Sequence, residues 1–253
     1  MEPKMTRVRH MRPRVVLVHG SVANGPATWS GQTALGDLFE LVILNRPGFP
    51  PNHAVARVDF DEHAEWLAQL LLEQDHVVGH SYGGVVSLLA AAARPELVRS
   101  LTVIEPPATR VALDNPVVAQ FAADGSDWWT QGPKDDPEAF LRGFLRTVGS
   151  AYDPPSPLPP DIEQGARALV AERGPWEAEI PLETLSSAPF PKLVVSGDHH
   201  AAFEGICDTL ERELHAERVV LPGHGHSVQR HPQFNSVLAD FVERARLHPD
   251  RHA

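Results

Sequence analysis

The segment Gly79-His80-Ser81-Tyr82-Gly83 puts one hydroxyl at the centre of a small-residue turn. An apolar run from Asp75 leads into it, and a long Ala/Leu/Val stretch follows and stops before Pro95. Gly-x-Ser-x-Gly between a strand and a helix is the sequence form of a nucleophile elbow, where a strained turn holds the serine hydroxyl out. The competing explanation is a tight packing turn with no chemistry. A serine hydroxyl becomes a useful nucleophile when a base takes its proton. His226, in "LPGHGHS", closes the last apolar run and follows Ser81 in chain order, as an elbow architecture requires. His224 is its competitor. His226 is preferred because Gly225 precedes it and a helical pattern starts soon after.

Such residues need a scaffold that brings distant loops together. Nearly continuous Val/Leu/Ile runs occur at 14–20, 40–48, 75–81, 100–107, 192–198 and 217–226. Runs without polar alternation are what strands buried on both faces of a parallel sheet look like. Amphipathic segments at 27–39, 59–73, 83–93, 203–214 and 232–246 separate them. This alternation predicts a doubly wound, mostly parallel α/β sheet, with ligands beyond the carboxyl ends of the strands. The alternation breaks between 108 and 188, where the text is Pro-rich ("DPPSPLPPD") and holds Trp128, Trp129 and Trp176. Helix-like pieces near 116–123, 137–147 and 160–173 predict a helical cap insertion. Residues 1–107 and 189–253 then form the core.

Composition narrows the class. The chain has 253 residues, 42% hydrophobic and 22% charged, enough for one sizeable core. A net charge of −11 argues against a nucleic-acid partner, which needs clustered Lys/Arg. The basic start "KMTRVRHMRPR" reads as a short arm, and the apolar run after it is too short for a signal peptide. No stretch reaches membrane-spanning length. The single cysteine, Cys207, rules out an intrachain disulfide framework. The expectation is a soluble, cytoplasmic protein, monomer or homodimer.

Four motifs in order resemble the α/β-hydrolase family over essentially the whole chain: "VHGSVANGPATW", "NRPGFP" (Asn45 where the family usually has Asp), "GHSYGG" and "GHGHS". The resemblance implies an acyl-enzyme route and no cofactor. It also implies an oxyanion hole made by the backbone N–H of Tyr82 with that of Ser21 or Val22, and an opening strand pair shortened or lost ahead of Arg14. The acid departs from the usual pattern. Family members carry it as Gly-x-x-Asp after the penultimate strand, but this chain reads Gly197-Asp198-His199-His200. Some branches, such as certain haloalkane dehalogenases, place a Glu at the end of the strand after the elbow helix, where this chain has Glu105. Glu105 is therefore taken as the acid, with Asp198 in reserve.

The remaining candidates are weighed more simply. His80 reads as a packed neighbour of the elbow. His199, His200 and His224 match no standard metal spacing, so no metal is expected. Trp29, Trp128, Trp129, Phe140 and Phe144, with Phe121, are candidates for an apolar pocket. The expected function is a serine hydrolase of the esterase or lactonase type, acting on a mostly apolar small molecule. The alternatives are a carbon–carbon bond hydrolase of the same fold and a non-catalytic small-molecule binding protein.

Overall fold

A computed structural model describes residues 12–150 and 152–247. The basic arm and any strand ahead of Arg14 lie largely outside the described residues. Six parallel strands, β1 (Arg14–Val18), β2 (Glu40–Ile43), β3 (Asp75–His80), β4 (Val98–Ile104), β5 (Lys192–Ser196) and β6 (Glu217–Val220), form one sheet in the order β2-β1-β3-β4-β5-β6. The chain first builds outward from β1 to β2, then returns and builds the other way from β3. The point of reversal lies between β1 and β3, where open α/β sheets bind ligands.

The predicted helices form with modest shifts: α2 (Phe60–Leu70), α3 (Tyr82–Ala93), α8 (Ala201–Leu214) and α9 (Phe234–Leu247). The segment expected as a helix at 27–39 is instead a short α1 (Gly25–Thr28) followed by a 3₁₀ stretch, Ser30–Asp37. Its two glycines, Gly31 and Gly36, weaken a longer α-helix.

Strand side chains alternate between two apolar layers, as a pleated backbone requires. Val16, Val18, Val77, Leu101, Val103 and Val194 join the layer packed under α2, α3 and α8. Val15, Leu17, Val78, Ile104, Leu193 and Val195 face the opposite layer, with Trp29, Phe39 and the apolar side of α9. β2 and β6 are edge strands and are less buried.

Between β4 and β5 lie α4 (Pro116–Gln131), α5 (Pro137–Thr147), α6 (Pro160–Ala171) and α7 (Leu182–Ser187). Each of the first three begins with proline at its first turn. Proline there removes an N–H that has no helical acceptor anyway, so Pro-rich text and helices are compatible. Asn115 and Asp136 cap α4 and α5 by accepting from Val117 N and Ala139 N. Phe140, Leu141, Leu145, Leu158 and Leu169 form a separate apolar cluster that includes Val22 from the loop after β1. Burying side chains of this size stabilises by about 1.5–3 kcal/mol each. Among the described residues, no helix is long and apolar enough to cross a membrane.

Candidate active site

Ser81 stands between β3 and α3 with φ 53° and ψ −126°, a conformation costly for any residue with a Cβ. The neighbours leave no alternative. A Cβ on Gly83 would lie 2.3 Å from the carbonyl oxygen of His19, and one on Gly79 would lie 2.5 Å from that of Gly83. Ser81 N donates to the carbonyl of Ile104 at 2.9 Å, tying the turn to β4. Ser81 O accepts from Gly84 N and Val85 N, which starts α3. Tyr82 N–H, at the first position of α3, has no acceptor within the helix. Opposite it, the loop after β1 makes a three-residue turn in which Ala23 N donates to Ser21 O, with Val22 at φ 71°.

His226 lies in the loop after β6, buried, with Nδ1 2.7 Å from Glu105 Oε2. Its Nε2 is buried and has no hydrogen-bond partner among the described residues. In the neutral imidazole, Nδ1 on a carboxylate carries the proton and Nε2 keeps its lone pair. Glu105 directly follows β4 with φ 43°, and its carboxylate is fully buried. Oε1 accepts from Gly197 N at 2.8 Å and faces His199 Nδ1 at 3.1 Å. Burial alone would raise the Glu105 pKa, but the hydrogen bonds from His199 and His226 outweigh it and hold it down to about 2.

The other candidates fall elsewhere. Asp198 is exposed, with φ 50°, and its N–H donates to Glu204 Oε1. His200, in the slot where the family usually has Asp, caps α8 by accepting from Ala202 N. His224 is exposed against His231, while His80 donates from Nε2 to the carbonyl of His226 at 2.7 Å. Phe203 stacks on His226 at a centroid distance of 4.5 Å.

Two residues invisible to motif reading complete the surroundings. Arg46, from "NRPG", is fully buried and donates to Glu172 Oε1 at 3.0 Å and to the carbonyl of Gly20 at 2.9 Å. Its guanidinium lies over the rings of Phe49 and Tyr82. Ser21 Oγ donates to the other oxygen of Glu172 at 2.6 Å. Burial raises the Glu172 pKa, with Arg46 and Ser21 acting against it. This buried pair joins the end of α6 to the loop after β2 and, through Gly20 and Ser21, to the loop after β1. Nothing in the spacing of residues 46 and 172 signals it.

Two recesses meet at Ser81. The first, about 510 Å³, is walled by Tyr82, Phe121, Trp129, Phe144, Trp176 and Phe203. The second, about 930 Å³, is lined by His226, Val22, Tyr152, Ile162 and Arg230. Ser21, Phe144 and Val148 border both. Trp29, Trp128 and Phe140 do not line these walls, contrary to expectation. Trp29 is fully buried in the layer under α9, packed in the cluster that holds Val15, Leu17, Phe39 and Phe241 rather than facing a recess. Phe140 is fully buried and packs edge-on against Trp129, and Trp128 lies against Phe140 and Gly143. These two back the wall that Trp129 and Phe144 form.

A model of the alpha/beta hydrolase family matches residues 15–234. The chain belongs to that family. Among curated relatives of this chain, a pimeloyl-[acyl-carrier protein] methyl ester esterase from Aeromonas hydrophila is 29% identical over 180 residues, covering 69% of this chain and 65% of the relative. Its counterpart from Aeromonas salmonicida is 32% identical over 147 residues, covering 55% and 56%. The match thus spans less than two thirds of either relative. An alpha/beta hydrolase structure from Sphaerobacter thermophilus superposes with TM-score 0.65 at 22% identity, over 91% of this chain and 93% of that one. At that identity the likeness speaks for the fold.

Buried histidines give this family member a pH signature. Burial is the main cause that holds His63, His76 and His80 at about 3, about 4 and about 3, below the ordinary 6.5. A histidine depressed on folding contributes stability above its unfolded value and loses it as pH falls toward its folded value. The urea midpoint is therefore expected to be flat above pH ~7 and to drop steeply between pH ~6.5 and ~3. Protonation of Glu105 adds to the loss below about 4.5. A midpoint unchanged between pH ~6.5 and ~4 would contradict this.

Proposed function

We propose that the chain is a serine hydrolase cleaving a carboxylic ester or lactone of a mostly apolar small acid, through an acyl-enzyme on Ser81. The observation carrying the reading is the unpartnered Nε2 of His226, whose Nδ1 is held by Glu105, beside a recess that also holds Ser81. In this mechanism Ser81 Oγ forms a bond to the carbonyl carbon while its proton passes to His226 Nε2. The carbonyl electrons move onto oxygen, which takes hydrogen bonds from Tyr82 N–H and Val22 or Ser21 N–H. Collapse expels the alkoxide, which takes the proton from Nε2. Water then repeats the cycle and releases the acid. Glu105 stabilises the imidazolium formed in each half, and the exposed Asp198 takes no part.

His226 must protonate the leaving group, so the alcohol belongs in the wider recess that His226 lines. The acyl chain then occupies the narrower aromatic one, under residues 108–188 acting as a cap. The esterase names of the Aeromonas relatives agree with this assignment. The test combines fluorophosphonate labelling with a panel of alkyl esters, lactones and vinylogous diketones. Expected are one label on Ser81 and turnover of esters or lactones with apolar acyl groups. Preference for the diketones would assign carbon–carbon hydrolysis instead. No label and no turnover would make the chain a binding protein.

A further inference from the structure

His199 makes two contacts that constrain its protons. Nδ1 lies 3.1 Å from Glu105 Oε1, and Nε2 lies 3.1 Å from the carbonyl oxygen of Val148, just beyond α5. Both neighbours are acceptors without a proton to give. A neutral imidazole carries one N–H and one lone pair, so it would turn a lone pair on one of them. Both bonds form together when both nitrogens are protonated.

We propose that His199 is a positioning residue: an imidazolium that bridges the Glu105 carboxylate to the Val148 carbonyl and so ties the helical segment to the triad acid. This deepens the hydrolase reading and rests on it. Glu105 then holds one imidazole on each oxygen, with Gly197 N–H sharing Oε1. Phe203 stacks on both His199 and His226, which keeps the two rings in fixed planes. Val148 borders both recesses at Ser81, so the second bond holds a wall of the substrate site.

Titratable and polar groups face His199 from each element packed against it. They are Glu105 after β4, Glu204 on α8, His226 in the loop after β6 and His200 beside it, with the Val148 carbonyl at the α5 end. Burial acts against the charge, but Glu105, the Val148 carbonyl and Glu204 outweigh it and raise the pKa above the ordinary value. At higher pH the imidazole keeps its proton toward the carboxylate and loses the one toward Val148, the weaker acceptor.

Two variants separate the bonds. Asparagine places its amide N where Nδ1 was, and glutamine places its amide N where Nε2 was. His199→Asn should keep the Glu105 bond, lose Val148 and raise KM about tenfold with kcat nearly kept. His199→Gln should keep Val148, lose the Glu105 bond and lower kcat about tenfold with KM nearly kept. In the wild type KM should rise at alkaline pH, and that rise should be absent from His199→Asn. Proton–nitrogen NMR of wild-type protein, with His199 assigned by difference against His199→Asn, should show both ring nitrogens protonated at neutral pH. A neutral His199 in that spectrum overturns the bridge, as do two variants with the same kinetics. The spectrum does not depend on turnover. Two protonated nitrogens in a protein that hydrolyses no ester would leave the bridge standing and refute the hydrolase reading.

Discussion

Ser81→Ala is expected to lower kcat on any activated ester by about 10⁶. The variant loses the oxygen that forms the acyl bond, and neither His226 nor the backbone N–H groups can replace it. A remainder of ~10³ over the uncatalysed rate is still expected, because oxyanion donors and binding act without the nucleophile. Steady-state kinetics with fluorophosphonate labelling measure both parts, and activity near the wild-type level would refute the mechanism. Stability has its own expectation. Alanine keeps the Cβ and therefore the strain of φ 53°, whereas glycine adopts that conformation freely. Ser81→Gly should thus be more stable than Ser81→Ala by about 1–3 kcal/mol. A higher Tm for the alanine variant would mean that the turn is not strained.

Glu105→Gln should lower kcat by roughly 10³ to 10⁴, as comparable changes do in serine triads. The amide keeps the carboxylate's shape but can donate to His226 Nδ1. That favours the tautomer with its proton on Nε2, where it cannot accept from Ser81. The charge that stabilises the imidazolium is lost as well. Asp198→Asn should leave kcat nearly unchanged, because the Asp198 side chain is exposed and its backbone N–H, not its carboxylate, donates to Glu204. The reverse ranking would move the acid to Asp198. Two mild variants would require the triad reading to be withdrawn. Circular dichroism and gel filtration on each variant distinguish a lost charge from a lost fold, which matters because Glu105 also faces His199.

The contrast between local and distant information explains which features were legible. The strand–turn–helix around Ser81 was readable because it lies within about twenty consecutive residues, and its glycines report close approaches inside that stretch. The six strands and their parallel pairing followed from the unbroken Val/Leu/Ile runs and their alternation with helices. Proline at the start of three helices between β4 and β5 was a local signal too.

Other features depended on geometry between segments. The β4–β5 pairing sets Glu105 and Asp198 at neighbouring strand ends, both with positive φ, yet Glu105 Oε2 lies 2.7 Å from His226 Nδ1 while Asp198 is exposed. Spacing along the chain does not encode that divergence. Trp128 and Trp129 have nearly the same composition around them, yet successive positions on a helix differ by about 100° in direction. One lines the recess and the other backs it. The pair Arg46–Glu172 and the bridge from Glu105 through His199 to Val148 join residues 126, 94 and 51 positions apart. The sequence alone determined the scaffold, the elbow and the base candidate, because each is written in short-range apolar pattern and turn chemistry. Only the tertiary structure decided which acid faces His226, which aromatics touch the recess and what His199 contacts, because packing of whole elements sets the directions in which those side chains point.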